Sequence, residues 1–269
     1  MILRALFFIF VYIPFMIVGI ALQFIITRLG LPFWNVLPRI FHRCGCIFLG
    51  MKVTLIGTPA HGRPTLVTSN HISWTDIIAI GSVADVTFVA KSEIKNWFFV
   101  GFMASLQRTI FVDRTRRTDA HKTSREIGRH MAQGNAVLLF AEGQSDLGTH
   151  VLPFRSALIG AAQHAMEEAG AKDVSIQPLT VAYTKLQGLP VSRSERTLIA
   201  WIRGKTVIQN IKEMLTGGTR EVTVAFGIPR PLEHGDDRKA ITRAAEADVR
   251  RVLVALNRGQ PLPELTQPG

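Results

Sequence analysis

The sequence predicts an α/β protein, a sandwich around a central, mostly parallel sheet, with a membrane helix or helical hairpin at its N-terminal end. Three observations lead there. From Met51 onward, short runs rich in β-branched residues alternate with segments of helical length. Before that, Ala5–Thr27 runs for 23 residues without a charge. Finally, 47% of the chain is hydrophobic and only 19% charged, too apolar for a disordered polycation.

Taken in order, the N-terminal run comes first. About 20 apolar residues suffice to cross a bilayer core of roughly 30 Å as a helix. No small-residue cleavage site follows, so the run does not read as a signal peptide. Pro14 sits inside it and removes one backbone donor, which predicts a kink. A second apolar stretch, Leu31–Phe48, is interspersed with Trp34, Arg39, His42 and Arg43 and reads as interfacial. One span plus an interfacial helix, or a two-helix hairpin dipping into one leaflet, fits equally. Arg28, Arg39 and Arg43 outnumber Arg4, which puts the downstream body on the cytoplasmic side. The expected division is residues 1–50 as anchoring segment and 51–269 as globular domain.

Within the body, strands are expected at Lys52–Ile56, Thr65–Thr68, Val86–Ala90, Ala136–Phe140, Ile176–Ala182 and Glu221–Phe226. Helices are expected at Trp74–Ile80, Trp97–Leu106, Asp119–Gln133, Ser156–Ala169 and Arg238–Asn257, with Gly134 and Gly170 as stops. The tail from Pro261 holds three prolines and reads as loose. Two cysteines, Cys44 and Cys46, exclude a disulfide framework and a four-cysteine zinc site, and the eight histidines are scattered without ligand spacing. No metal is expected. A net charge of +11 attracts a polyanion: nucleic acid, an anionic membrane or an acidic protein.

Three patches could carry chemistry. Ser69-Asn70-His71-Ile72-Ser73-Trp74-Thr75-Asp76 follows a predicted strand. If the chain turns into a helix there, Asp76 can fix the tautomer of His71 and stabilise its imidazolium. Chance alone supplies ~0.3 such spacings in this composition, so a surface histidine near a helix-start aspartate is the competing reading. Phe140-Ala141-Glu142-Gly143-Gln144-Ser145-Asp146 also ends a strand, where α/β sheets place ligand crevices; a plain β-turn competes. Around Arg108–Arg114, positions 108–129 hold seven Lys/Arg against three acids, with Phe111 the one aromatic. Nucleic-acid binders interleave aromatics for stacking, so a phosphate, a carboxylate or an acidic partner fits better there than nucleic acid.

Together these blocks resemble the glycerolipid acyltransferase family, which includes bacterial 1-acylglycerol-3-phosphate and lyso-ornithine lipid acyltransferases. The resemblance rests on Asn70-His71-x4-Asp76, on Lys91 and Phe111-Val112-Asp113-Arg114, on Phe140-Ala141-Glu142-Gly143 with Leu152-Pro153-Phe154-Arg155, and on Gln177-Pro178-Leu179, in that order along residues 51–230. It implies an αβ acyltransferase sandwich for residues 51–269, in a bacterial inner membrane. It implies His71 as general base, Asp76 as its orienting partner, and Lys91, Arg114, Glu142, Gly143 and Arg155 at the substrate. It implies direct attack of a lysolipid hydroxyl on an acyl thioester, with no cofactor beyond the donor, acyl carrier protein or coenzyme A. A basic surface would steer the acidic carrier protein. One departure matters. Phosphate-acceptor members usually read Glu-Gly-Thr-Arg where this chain reads Glu142-Gly143-Gln144-Ser145. A missing guanidinium forfeits a charge-assisted contact of roughly 1.5–3 kcal/mol. The wording of the blocks is similar to the lyso-ornithine branch, with lysophosphatidic acid as the alternative acceptor and a non-catalytic anionic-lipid binder as the alternative class.

Overall fold

The computed structural model describes residues 6–60, 62–112, 126–131, 133–156, 159–160, 174–232 and 236–264. Arg114, Gly170 and most of the helices expected at Asp119–Gln133 and Ser156–Ala169 lie outside them, as do the last five residues.

The apolar run forms a π-helical turn, Phe8–Tyr12, leading into α1 (Ile13–Arg28). Pro14 follows directly on that π-helical turn, and the backbone stays helical on both sides of it. Helix α2 (Val36–Leu49) folds back along α1, and Phe8 stacks on Phe48 at 4.0 Å between ring centroids while Tyr12 meets Phe41 at 5.3 Å. Gly50, left-handed at φ 66°, ends α2 and delivers the chain into β1 (Met51–Ile56).

Then come β2 (Thr65–Ser69), α3 (Thr75–Val83), β3 (Thr87–Lys91), α4 (Ser92–Lys95), α5 (Phe98–Leu106), β4 (Ile110–Val112) and β5 (Ala136–Phe140). After β6 (Ser175–Leu186) follow β7 (Leu189–Pro190), α6 (Arg196–Ile199), α7 (Val207–Thr216), β8 (Arg220–Phe226), β9 (Arg230–Pro231) and α8 (Arg238–Arg258). The strands make one sheet in the order β1-β8-β6-β2-β5-β3-β4, with β7 and β9 paired to β6. The block β6-β2-β5-β3-β4 is parallel throughout; β8 runs antiparallel to β6. Both faces are covered, which is why β2 and β5 are buried at every residue. One core gathers Leu49, Val67, Ile80, Phe88, Leu138 and Val224, under α2, α3 and α7; the other gathers Leu66, Val137, Ile176, Val249 and Leu253, under α8.

Three polar residues of the second apolar stretch, which the sequence reads as interfacial, have partners in the body. Arg39 pairs with Asp85, and Arg43 Nε donates to the Ser82 carbonyl near the end of α3 at 3.1 Å. His42 Nε2 lies 2.8 Å from Gln107 Oε1, and its ring fills the space at Gly81, where a Cβ would come within 2.4 Å of it.

Arg220, fully buried, fastens this arrangement from below. Its Nη1 donates to the Met214 and Gly218 carbonyls at 2.7 and 3.0 Å, and Nη2 to Glu213 at 2.9 Å. A cation thus closes the C-terminal end of α7, where the helix dipole is negative. Replacing it by methionine removes these buried guanidinium donors, leaving the Glu213 carbonyl only its Gly217 N–H, and should lower stability by ~2–4 kcal/mol, measured as the urea midpoint of the detergent-solubilised chain.

Candidate active site

Strand β2 ends at Ser69 beside the ends of β5 and β6, and the site grows from there. Asn70 prolongs the ladder with its side chain: Oδ1 accepts from Val181 N at 2.9 Å and Nδ2 donates to Val181 O at 3.0 Å. The chain can then leave the sheet without orphaning buried amides. It turns through His71–Trp74 into α3, and Asp76 falls in the first turn of that helix.

Asp76 is fully buried and takes four donors. Oδ2 accepts from His71 Nδ1 at 2.8 Å, Ile72 N at 2.6 Å and Ser73 N at 3.0 Å; Oδ1 accepts from the Tyr183 hydroxyl at 2.9 Å. Because the phenol's one hydrogen goes to Asp76, the Thr75 hydroxyl donates to the phenol oxygen, 2.6 Å away. Burial, with the Asp76 charge beside it, pushes the Tyr183 hydroxyl further up, so it stays a donor. The carboxylate holds the hydrogen of His71 on Nδ1, leaving Nε2 as the nitrogen that can take a proton.

The histidine is framed on its other sides. Its ring stacks on Phe140 at 4.0 Å and 20°. Glu142, at the end of β5, bridges two loops: Oε2 accepts from His71 N at 2.6 Å and Oε1 from Leu152 N at 2.7 Å. Burial pushes its carboxyl up to about 8, outweighing those two N–H donors, with Asp146 and Asp76 adding repulsion. Gly143 adopts φ 74°, and Arg155 lies where a side chain would be: a Cβ there would come within 2.6 Å of Arg155 Nε. Further support comes from Asp146 N donating to the His71 carbonyl at 2.9 Å and Trp201 N to that of Ile72 at 3.0 Å.

The structure therefore brings together His71, Asp76, Glu142, Gly143 and Arg155. Lys91 is exposed at the end of β3, separated from β2 by β5. Arg114 lies outside the described residues, just beyond β4. Sequence reading missed Tyr183. The signal was there: it is one of only two tyrosines, a lone phenol inside an apolar strand, and a buried phenol needs a partner. Among the described residues, no group of three or more His, Cys, Asp or Glu is gathered as metal ligands.

An imidazole with a fixed tautomer at the ends of parallel strands can serve as a general base. The acyltransferase family model matches residues 51–182. The chain is 39% identical to a lyso-ornithine lipid O-acyltransferase from Brucella abortus over 91% of this chain and 92% of that protein. It is 36% identical to a 1-acyl-sn-glycerol-3-phosphate acyltransferase from Neisseria gonorrhoeae, covering 74% and 73%. In fold it is similar to the crystal structure of PlsC, the 1-acyl-sn-glycerophosphate acyltransferase of Thermotoga maritima, with TM-score 0.58 and 19% identity over 94% of this chain and 97% of that one. The chain belongs to the glycerolipid acyltransferase family and is an acyl-transferring enzyme.

Glu142 also sets a pH dependence. An unfolded glutamate releases its proton near 4.5, whereas the folded one holds it until about 8. Across that window the native state binds the extra proton, so stability should fall as pH rises. Thermal midpoints measured from pH 5 to 8.5 should show this slope, and Glu142→Gln should flatten it.

Proposed function

We propose that the chain is a lyso-ornithine lipid O-acyltransferase that moves a fatty acyl group from the thioester of acyl carrier protein to the hydroxyl of a membrane-borne lysolipid. The observation that carries this reading is the buried Asp76 carboxylate holding His71 by Nδ1. In the reaction, Nε2 takes the proton of the acceptor hydroxyl as its oxygen attacks the thioester carbonyl. The C–S bond breaks as the tetrahedral adduct collapses, and the imidazolium returns the proton to the leaving thiolate. Asp76 stabilises the transient cation without taking its proton.

For the acceptor, the third block supports ornithine over phosphate. Ser145, the position at which the resemblance leads one to expect arginine in a phosphate-acceptor enzyme, donates its hydroxyl to the Trp201 carbonyl and so belongs to the loop scaffold. Arg155 beside Gly143, with Lys91 and Arg114, is left to receive the acceptor's carboxylate. Relatives named for 1-acylglycerol-3-phosphate support lysophosphatidic acid as the second acceptor to test.

Residues 1–50 act as membrane anchor and 51–269 as catalytic domain at the cytoplasmic face of the inner membrane. The helix Phe8–Arg28 is long and apolar enough to cross a membrane. It folds against its own hairpin partner at one end, where Phe8 stacks on Phe48 of α2, and touches the body near the other, where Gln23 Nε2 donates to the Leu106 carbonyl at 3.0 Å. That supports a hairpin seated in one leaflet over a helix leaving the body behind.

His71→Ala should lower kcat by ~10³-fold or more, and Asp76→Asn by a similar factor through the wrong tautomer, while both stay folded by circular dichroism. Full activity in His71→Ala would overturn the mechanism. With radiolabelled acyl carrier protein, lyso-ornithine lipid should exceed lysophosphatidic acid at least tenfold in kcat/KM; the reverse order would reassign the acceptor.

A further inference from the structure

We propose that α7 and the segment leading into it, residues 197–211, form a second bilayer contact beside the catalytic dyad, distinct from the N-terminal hairpin. Helix α7 has a firm start: Thr206 Oγ1 accepts from Gln209 N at 3.2 Å and Gln209 Oε1 from Thr206 N at 3.0 Å. Its inner face holds Asn210 and Met214, both buried. On the outside, Ile208 is 79% exposed and Ile211 37%, with Leu198 on α6 also at 37%. Isoleucine at such exposure on a short, well-capped helix is an apolar face in want of a partner.

Two observations commit that partner to a lipid surface. The first is continuity. Trp201 meets Trp97 edge to face at 6.3 Å, and Trp97 opens α5, whose Phe99, Val100 and Phe102 are all exposed. Through Gln23 and the Leu106 carbonyl, α5 joins α1, whose outer face is apolar along its length. The exposed apolar surface thus runs from hairpin to α5, through the two indoles, to Ile208. Paired tryptophans are side chains that settle at the boundary between lipid and water. The second is charge. Arg203 and Lys212 flank the isoleucines and are exposed, whereas Lys205 is spent on Glu213 at 2.5 Å. Exposed cations beside an apolar ridge suit an anionic headgroup layer.

The ridge also has a path to the dyad. Asn210 Oδ1 accepts from Trp74 Nε1 at 2.8 Å, and Trp201 N donates to the Ile72 carbonyl. Both contacts fall between His71 and Asp76 in sequence. Seating this rim on the bilayer would present the acceptor lysolipid to His71 from the membrane side.

The proposal rests on the membrane association read from the hairpin, and the test separates the two. In a Cys44→Ser, Cys46→Ala background, single cysteines at positions 24, 208, 211 and 228 are labelled with the NBD fluorophore. The full chain is reconstituted in phosphatidylethanolamine/phosphatidylglycerol vesicles carrying lipid spin-labelled near the headgroup. Phe24 is an exposed residue of α1; Ile228, equally apolar, precedes β9, which pairs with the first residues of β6 at the sheet end opposite His71. Quenching at 24, 208 and 211 but not 228 is expected. Quenching at 24 alone overturns this proposal and spares the hairpin; no quenching at 24 overturns the membrane reading itself. A second readout keeps both native cysteines: Ile208→Glu with Ile211→Glu should raise the apparent KM for a vesicle-borne acceptor about fivefold with kcat retained. An unchanged KM, or an equal loss in detergent micelles, overturns the contact.

Discussion

A carboxylate sealed from water is unstable unless the protein replaces the hydration it gave up, and in this chain Asp76 has that replacement in full. Its donors come from three sources: the imidazole, two amides of the turn leading into a helix, and a phenol from a neighbouring strand. The helix adds the positive end of its dipole. Losing any one source would raise the cost of the charge for the others, so β2, α3 and β6 are held in one register by a single side chain. Glu142 follows the same logic with less success. It has two backbone donors and acidic neighbours, and so its proton is retained into the neutral range.

The N-terminal hairpin and the body are likewise one construction. Three consecutive residues leaving α5 are each gripped by a different part of the hairpin. The Leu106 carbonyl accepts from Gln23 of α1, Gln107 meets His42 of α2, and the Arg108 guanidinium lies 4.7 Å over the Trp34 ring in the connecting loop. Arg108 holds φ 59°, a left-handed conformation that a non-glycine side chain adopts at some cost, offset here by that ring contact. Four residues later the chain enters the Val112-Asp113-Arg114 block.

Much of this was legible in the sequence, for definite reasons. The central strands announced themselves because both faces of the sheet are covered there, so each reads as a compact apolar run, the edge strand β1 through its β-branched residues, and α8 because its amphipathic period survives over 21 residues. His71 and Asp76 were legible because four residues of separation let one turn of chain bring them together. Strand β4 was not, since three residues carry no period. The inward turn of Arg39, His42 and Arg43 was hidden because a cation beside aromatics reads the same whether it meets a headgroup or an aspartate. The resemblance places Glu142 at the substrate; the structure adds that both its oxygens accept from backbone amides, contacts no spacing reveals.

The grip on Leu106, Gln107 and Arg108 has a practical consequence for anyone who would trim this enzyme to ease its handling. Cutting away the greasy leader would not liberate a ready-made soluble half. It would uncover a bare carbonyl, strand an amide and a guanidinium, and slacken the stretch that leads to the arginine block. The leader is thus part of the tool itself.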